Sequence, residues 1–236
     1  MKGVVLAGGR GTRLRPTTAV VNKHLIPIYD QPMIFHPVQT LISAGINEIL
    51  LISTVEDTGR YITLLEERFD ADFQYRVQNE PKGVAHAISL AEGFVDDNFV
   101  VLLGDNLIFE DLSGSDIELD GSKSKIFLKE VDRPSAYGIA VLDDGDIVEL
   151  NEKPESPQSN YAAIGLYCYS SDVFSVIKGL QPSDRGEYEI TDVNSFYLDR
   201  GEIDYEIIQG EWFDAGTPEG IFKAAAQVRE QRRQDN

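Results

Sequence analysis

The sequence predicts an α/β fold built on a mostly parallel central sheet flanked by helices. Its first half alternates apolar runs with stretches that suit amphipathic helices. The apolar runs are rich in Val, Ile and Leu, typical of central strands buried on both faces, and lie at residues 3–6, 49–52, 73–77 and 99–103. The helices predicted between them are residues 33–44, 58–69 and 84–94. Because this order is typical of parallel β-α-β units, ligands are expected beyond the carboxyl ends of the strands.

The second half of the chain has a more mixed pattern. Strands are predicted near residues 125–131, 139–142, 147–150, 162–169 and 203–208, and helices near 172–180, 191–199 and 218–233. The last helix has a clear start, since Thr217 is a good N-cap and Pro218 suits the first helical position. No linker rich in Gly, Ser or Pro separates the halves. We therefore expect one domain, residues 1–236, with two joined lobes at about 1–110 and 111–236.

The acidic composition excludes some classes of partner. The 236 residues include 40 Asp and Glu against 21 Lys and Arg, a formal net charge of -19, which argues against nucleic-acid binding. No apolar run approaches the ~20 residues that span a bilayer, so no membrane association is expected. Acidic clusters at residues 96–97, 116–120 and 143–144 favour a surface adapted to high salt. The alternative is an acidic protein that is merely kept soluble by its charge.

The N-terminus and the cysteine content favour a reducing compartment. One Lys precedes an apolar run that is too brief for a signal peptide, and the single Cys168 has no intramolecular disulfide partner. Cys168 lies in an apolar predicted strand, where a small core residue is expected. The sequence thus predicts a cytoplasmic protein.

The loop at residues 8–16 is the most unusual segment, because it places Gly8, Gly9 and Gly11 among three arginines directly after the first strand. Residues 1–29 contain no acidic residue, so the loop is a basic island in an acidic protein and suggests a small-anion site. Glycines allow backbone N–H groups to approach phosphate, and guanidinium groups match its oxygens. A plain tight turn is the alternative. The pattern is neither the Rossmann fingerprint nor the Walker A motif.

These residues, with motifs further along the chain, resemble the signature of the sugar-1-phosphate nucleotidylyltransferases. The first matching segments are residues 6–16 and 22–28. Further matches follow in order at residues 78–83, 104–106, 137–138, 152–154, 160–167, 185–192 and 212–217. The resemblance covers essentially the whole chain. It implies a Rossmann-like fold of the nucleotide-diphospho-sugar transferase type, with a smaller mixed sugar-binding lobe.

The resemblance also implies a reaction and its participants. A sugar-1-phosphate oxygen attacks the α-phosphorus of a nucleoside triphosphate, assisted by Mg²⁺, and pyrophosphate leaves. Residues 28–33 and 52–58 are most similar to the thymidylyltransferase branch, whose members join dTTP to glucose-1-phosphate. The same chemistry with UTP is the first alternative. A non-catalytic regulatory homologue is the second, and a glycosyltransferase of similar fold is the third.

The site residues that the resemblance implies fall into four groups. Arg13 and Lys23 are the catalytic cations that neutralise the triphosphate and the departing pyrophosphate. Nucleotide contacts are expected from Leu6, Gly8, Gly9, Gly11, Thr12, Arg13, Gln78 and Gly83. Sugar-phosphate contacts are expected from Gly138, Glu152, Lys153 and Arg185. Asp105 and Asp214 are the expected Mg²⁺ ligands, although either aspartate taken singly could equally be a turn or cap residue. The roles of Arg10 and Arg15 stay open.

The sequence also departs from the family pattern. His24 stands where thymidylyltransferases usually have Gln, and residues 111–124 are short and rich in Asp, Gly and Ser. The chain ends at Asn236, without the C-terminal helices that support an allosteric nucleotide site and oligomer contacts in longer members. We therefore expect that feedback site to be absent or altered, while a homo-oligomer remains possible. His24, His36 and His86 have no metal-ligand spacing, and packing or solvent exposure is expected for His36 and His86.

Overall fold

The computed structural model describes residues 1–112 and 116–234. Its centre is a nine-stranded mixed sheet with strand order β10-β9-β11-β6-β1-β4-β5, in which β8 also pairs with β11 and β12 pairs with β8. Two short antiparallel pairs, β2 with β3 and β7 with β13, lie outside this sheet. The strands are β1 Lys2–Leu6, β2 Pro27–Ile28, β3 Gln31–Pro32, β4 Glu48–Ser53, β5 Asp72–Val77, β6 Phe99–Leu103, β7 Asn106–Phe109, β8 Ser124–Glu130, β9 Gly138–Asp143, β10 Asp146–Glu152, β11 Tyr161–Tyr169, β12 Ile203–Ile207 and β13 Glu211–Asp214.

Helices cover both faces of the sheet, as the β-α-β pattern predicts. They are α1 Phe35–Ser43, α2 Thr58–Arg68, α3 Val84–Ser89, α4 Val173–Gly179, α5 Ile190–Leu198 and α6 Pro218–Gln234. Val5 and Leu51 point to the face packed by α1 and α2, while Val4 and Leu50 point to the face packed by α3, α4 and α5. This alternation along β1 and β4 buries both faces of the parallel strands. None of the described helices is long and apolar enough to cross a membrane.

The parallel half of the sheet consists of β6, β1, β4 and β5, all running in the same direction. The carboxyl ends of β1 and β6 therefore meet at one edge, with Leu6 opposite Leu103. The second half of the chain adds the antiparallel strands β11, β9 and β10 beyond β6. The predicted α/β class with a mostly parallel core is confirmed, and the loop rich in glycine and arginine lies at the expected edge.

Two predicted elements differ from the structure. β5 is an edge strand whose residues are half-buried or exposed, and it is not the central strand that its apolar residues predicted. The helix predicted over 84–94 ends at Ser89, because turns at Leu90 and Ala91 lead into the bridge between Glu92 and Val95. The departure expected at residues 111–124 lies partly, and that at Asn236 wholly, outside the described residues.

The aromatic contacts at Phe99 predict a stability effect. The Phe99 ring is fully buried and stacks on Phe174, with ring centroids 5.6 Å apart. Phe99→Ala should lower the free energy of unfolding by about 3–5 kcal/mol, because it removes a large buried side chain and leaves a cavity. Urea denaturation measures the loss. Val148→Ala is the matched control, since Val148 is 53% exposed and should change stability by no more than about 0.5 kcal/mol. A loss below about 1 kcal/mol for Phe99→Ala would contradict this account of the core.

Candidate active site

A cavity of about 800 Å³ opens at the carboxyl edge of β1 and β6. It extends from the loop after β1 to the segment at residues 185–191 in the second half of the chain. Its lining includes all of the predicted site residues: Leu6, Gly8, Gly9, Gly11, Thr12, Arg13, Lys23, Gln78, Gly83, Asp105, Gly138, Glu152, Lys153, Arg185 and Asp214. Arg10 lines it as well, whereas Arg15 is exposed elsewhere. Residues spread over more than two hundred positions thus share one cleft.

The glycines of the loop at residues 8–11 allow it to fold against the side chain of Lys23. A Cβ atom on Gly9 would lie 3.1 Å from both Cε and Nζ of Lys23. Gly11 has φ +59, and a Cβ there would lie 3.0 Å from Cβ of Lys23. Side chains at these positions would push the lysine aside. The loop therefore holds Lys23 at the cavity wall and keeps its own backbone accessible from the cavity.

Two ion pairs cross the centre of the cavity. Lys23 Nζ donates to Oδ2 of Asp105 at 2.5 Å, and both side chains are largely buried. Arg13 Nη1 lies 3.4 Å from Oδ2 of Asp214, and Arg13 is itself 59% exposed. Both carboxylates approach Gly216, where a Cβ would lie 2.8 Å from Oδ1 of Asp214 and 2.9 Å from Oδ2 of Asp105. Two cations and two carboxylates therefore meet in one small volume.

The two carboxylates differ in acidity because their surroundings differ. Burial by itself would raise the pKa of Asp105, but the ammonium of Lys23, supported by its hydrogen bond, holds that pKa well below its usual range. Burial raises the pKa of Asp214, and the nearby charge of Asp105 raises it further, against the opposing effect of Arg13. The Asp105 carboxylate is thus the more strongly held anion of the pair.

The donor set at this point suits Mg²⁺, which the family resemblance implies. Asp105 and Asp214 offer carboxylate oxygens, the ligand type that Mg²⁺ prefers. Among the described residues no group of three or more His, Cys, Asp or Glu side chains could hold a metal by itself. Mg²⁺ commonly binds one or two carboxylates together with substrate phosphates and water. The two carboxylates therefore suit an ion whose remaining ligands are substrate phosphates and water. They do not suit a structural site in which side chains supply every ligand.

The β7–β13 ribbon brings the two aspartates together. Asn106 pairs with Asp214 across it, and the N–H of Ala215 donates to the backbone oxygen of Asp105 at 2.8 Å. The side-chain oxygen of Asn106 accepts hydrogen bonds from the N–H of Gly165 at 2.9 Å and from the indole of Trp212 at 2.8 Å. This amide therefore connects the ribbon to β11 and fixes the residue next to Asp105.

The end of the cavity near β5 is formed by Gln78 and Gly83. Gln78 is buried, its backbone N–H donates to the oxygen of Ser53 at 2.8 Å, and its Oε1 lies 2.7 Å from where a Cβ on Gly8 would stand. Gly83 has φ +100, and a Cβ there would lie 2.5 Å from the backbone oxygen of Tyr188. Only glycine suits this position, because the backbone of Tyr188 leaves no room for a side chain.

A second end of the cavity is formed by a cluster of polar side chains around Glu152. Its carboxylate accepts hydrogen bonds from Lys153 at 2.7 Å, from Arg185 at 3.2 Å and from Thr191 at 2.6 Å. Burial by itself would raise the pKa of Glu152, but the hydrogen bonds from Lys153 and Thr191 keep it below the usual value. Gly138 lies against the same cluster, with the Thr191 hydroxyl 3.1 Å from where its Cβ would stand.

Sequence reasoning missed the side chains that support this site. His24 is buried and is not among the residues that line the cavity; its backbone N–H and its ring Nδ1 both lie 3.0 Å from Oδ1 of Asn22. Burial, with the Lys23 charge, lowers the pKa of His24 to about 3, so the ring is neutral. Asn22 also donates to the buried Asp57 at 2.7 Å, which ties the Lys23 turn to the start of α2. The only signal in the sequence was the Asn-Lys-His tripeptide at residues 22–24, and it does not indicate which residues these side chains contact.

Thr191, Trp212 and Tyr137 are further cavity residues that carried no assigned role. The Thr191 hydroxyl donates to Glu152, and the Trp212 indole donates to Asn106. The ring of Tyr137 packs edge-on against that of Trp212, with centroids 5.4 Å apart. Each lies within a matched motif, and that position was the available signal. Their contacts join separate elements of the fold, so spacing along the chain did not reveal them.

Comparisons with known proteins agree with this geometry. A family model described as nucleotidyl transferase matches residues 2–231. Glucose-1-phosphate thymidylyltransferase from Mycolicibacterium smegmatis is 41% identical, over 97% of this chain and 82% of that protein. The enzyme of the same name from Neisseria meningitidis is 38% identical, over 97% of this chain and 83% of that protein.

Solved structures give the same result. A Bacillus anthracis structure named as a glucose-1-phosphate thymidylyltransferase in complex with a sucrose is 43% identical, with TM-score 0.92, and covers 97% of this chain and 95% of its own. A UDP-glucose pyrophosphorylase complexed with UDP-glucose is 27% identical, with TM-score 0.83, and covers 98% of each chain. The family predicted from the motifs is therefore confirmed, and the chain belongs to the nucleotidyl transferases.

Proposed function

We propose that the protein transfers a thymidylyl group from dTTP to glucose-1-phosphate, giving dTDP-glucose and pyrophosphate. One observation carries the proposal: the Lys23–Asp105 and Arg13–Asp214 pairs lie in the same cleft as the Gln78 end and the Glu152 end. A reaction between two phosphate esters needs this arrangement, because its reacting centre must lie between a nucleotide and a sugar. The relatives of about 40% identity named as glucose-1-phosphate thymidylyltransferases support this choice of substrates.

The physical problem in this reaction is the meeting of two polyanions. An oxygen of the sugar phosphate forms a bond to the α-phosphorus of dTTP, the bond from that phosphorus to the bridging oxygen breaks, and the electron pair leaves with pyrophosphate. The protein contributes positioning and charge neutralisation, with little covalent work. Arg13 and Lys23 neutralise the triphosphate and the developing charge on the leaving group. Mg²⁺, held by Asp105 and Asp214, supplies further neutralisation when bound.

The ion pairs of the free protein hold these groups in place before substrate arrives. Lys23 and Asp105 satisfy each other within the cavity wall, which limits the cost of keeping either charge out of water. Arg13 is more exposed than Lys23, so it is the more accessible cation for an entering triphosphate. We propose that both cations exchange part of their contact with carboxylate for contact with phosphate.

The Glu152 end binds the sugar phosphate in this proposal. Lys153 carries φ +45 and its N–H donates to the oxygen of Tyr137 at 3.0 Å, so its backbone is firmly held. Its ammonium is the cation for the sugar phosphate, and Glu152 accepts hydrogen bonds from sugar hydroxyls. Arg185 contacts Glu152 and also Glu189 at 2.9 Å, which orients its guanidinium at the cavity rim. Gly138 leaves room beside this cluster.

UTP is the second candidate nucleotide. Thymine and uracil share the imide edge that an amide such as Gln78 recognises, and they differ by one methyl group. A pocket that admits this methyl group would favour dTTP over UTP by only ~1 to 3 kcal/mol. The similarity to a UDP-glucose pyrophosphorylase also favours testing UTP. A cytoplasmic, high-salt setting is proposed from the acidic composition and the buried Cys168.

Pyrophosphate release tests the proposed reaction directly. Glucose-1-phosphate, N-acetylglucosamine-1-phosphate, galactose-1-phosphate and mannose-1-phosphate should each be assayed with dTTP and with UTP, with Mg²⁺, at low and at molar salt. The highest kcat/KM is expected for dTTP with glucose-1-phosphate, and removal of Mg²⁺ by a chelator should stop turnover. Release of no pyrophosphate with any pair would refute the enzyme assignment. A strong preference for UTP would replace the thymidylyl assignment.

Asp105→Ala should abolish turnover while the fold persists. The substitution removes a proposed Mg²⁺ ligand and leaves Lys23 without its partner, so a loss of about 10³-fold or more is expected. Steady-state kinetics measure the loss, and circular dichroism checks the fold. The matched control is Asp97→Ala, an exposed aspartate that does not line the cavity, which should retain activity. Mg²⁺-dependent turnover by the Asp105→Ala protein would show that the metal is bound elsewhere.

Thr191→Val should shift the pH dependence of sugar-phosphate binding. The Thr191 hydroxyl helps to keep the pKa of Glu152 low, so Glu152 stays ionised as the pH falls towards its lowered pKa. Without that hydrogen bond the pKa rises, and the loss of binding on acidification should begin at a higher pH. At neutral pH the KM for glucose-1-phosphate should rise about threefold to tenfold, as expected for one hydrogen bond. An equal change in the KM for dTTP would argue against a role specific to the sugar.

A further inference from the structure

The amide of Gln78 lies at the nucleotide end of the cavity. The sequence does not show whether its oxygen or its NH₂ group faces the ligand. A glutamine amide carries an acceptor on one side and a donor on the other, and it can present either to a ligand after a half-turn about its last bond. Gln78 is 9% exposed, and its Oε1 lies against Gly8. The group that hydrogen-bonds to the other side of this amide therefore decides whether an acceptor or a donor faces the base.

That group is His86, the third residue of α3. Nδ1 of His86 lies 3.0 Å from Nε2 of Gln78. The imidazole is positioned by the ring of Tyr188, with centroids 6.4 Å apart and planes inclined by 27°. Tyr188 is held in turn, because its N–H donates to the oxygen of Lys82 at 2.8 Å and its oxygen accepts from Ala85 at 3.2 Å. The imidazole thus has a fixed place beside the amide.

The protonation state of His86 suits the role of acceptor. Burial lowers the pKa of His86, and the Lys82 charge lowers it further, against the opposing effect of Glu80. The ring is therefore neutral at neutral pH, and a neutral imidazole with its proton on Nε2 has a lone pair on Nδ1. In that tautomer the Gln78 amide must turn its NH₂ group towards His86.

We propose that His86 is a specificity-determining residue for the base: its Nδ1 accepts from Nε2 of Gln78 and keeps Oε1 facing the nucleotide. The inference rests on the proposed function, in which Gln78 contacts the base. Thymine and uracil carry an N3–H donor that such an acceptor recognises. Cytosine carries an acceptor at N3 and an amino group beside it, so it needs the opposite orientation of the amide. His86 thereby excludes cytosine nucleotides without contacting them.

His86→Phe tests the proposal, because phenylalanine retains a ring for Tyr188 and has no acceptor. The ratio of kcat/KM for dTTP to that for dCTP, with glucose-1-phosphate, should fall at least about tenfold, as expected when the pairing of one polar group is lost. The change should lie mainly in KM. His86→Asn, whose side-chain oxygen lies near the position of Nδ1, should restore much of the ratio. In a Gln78→Ala background, His86→Phe should leave the ratio unchanged.

Direct binding separates this inference from the proposed function. Calorimetry of dTTP and dCTP with Mg²⁺ should give the same loss of discrimination in the His86→Phe protein. An unchanged ratio in that protein, in kinetics and in binding, would overturn the role of His86 while leaving the function intact. Failure of the wild-type protein to bind or turn over either nucleotide would overturn both. Thermal unfolding checks the fold of each variant, and His86→Leu replaces His86→Phe if the latter does not fold.

Discussion

Opposite charges in close contact around Gly216 are the feature on which the arrangement of the cavity depends. Lys23 neutralises Asp105, Arg13 neutralises Asp214, and the two carboxylates approach the same glycine. Either carboxylate buried without its cation would be costly, and either cation without its carboxylate would be free to leave the site. The glycine loop, the Lys23 turn and the β7–β13 ribbon are all positioned so that these charges meet. A protein with a net charge of -19 thereby keeps two cations in one cleft.

Supporting side chains set the geometry of the groups that face the cavity. Asn106 accepts from two strands, Thr191 donates to Glu152, and His86 lies beside Gln78. In each case a residue lining the cavity is fixed by a neighbour from another element. Such contacts require little further loss of conformational freedom when the partner already lies on an ordered strand or helix. They fix side chains that line a cleft of about 800 Å³.

Most strands and helices could be predicted because their signals are local. The runs at 3–6 and 99–103 are fully apolar, and the Thr217 hydroxyl accepts from the N–H of Gly220 at the start of α6 as its sequence indicates. β5 was misjudged because Phe73, Tyr75 and Val77 were interpreted as part of a continuous apolar run, although Gln74 and Arg76 alternate with them. β7 and β13 were missed because each has four residues and gains its pairing only from the other. The helix at residue 84 was extended too far because short local turns follow Ser89, and the carbonyls of Leu90 and Glu92 accept hydrogen bonds from the side chain of Arg76 on β5.

The sequence by itself determined the α/β class, the family and a group of site residues that all line the cleft, since each depends on residue type and order along the chain. Only the tertiary structure decided which of those residues meet. Asp105 and Asp214 are adjacent because β7 pairs with β13, and Gln78 has a partner in His86 because α3 packs beside the end of β5. Asp105 and Asp214 are more than one hundred residues apart in the sequence, whereas Gln78 and His86 are only eight residues apart. In both cases the hydrogen bonds and charge pairs depend on distances that no local pattern encodes.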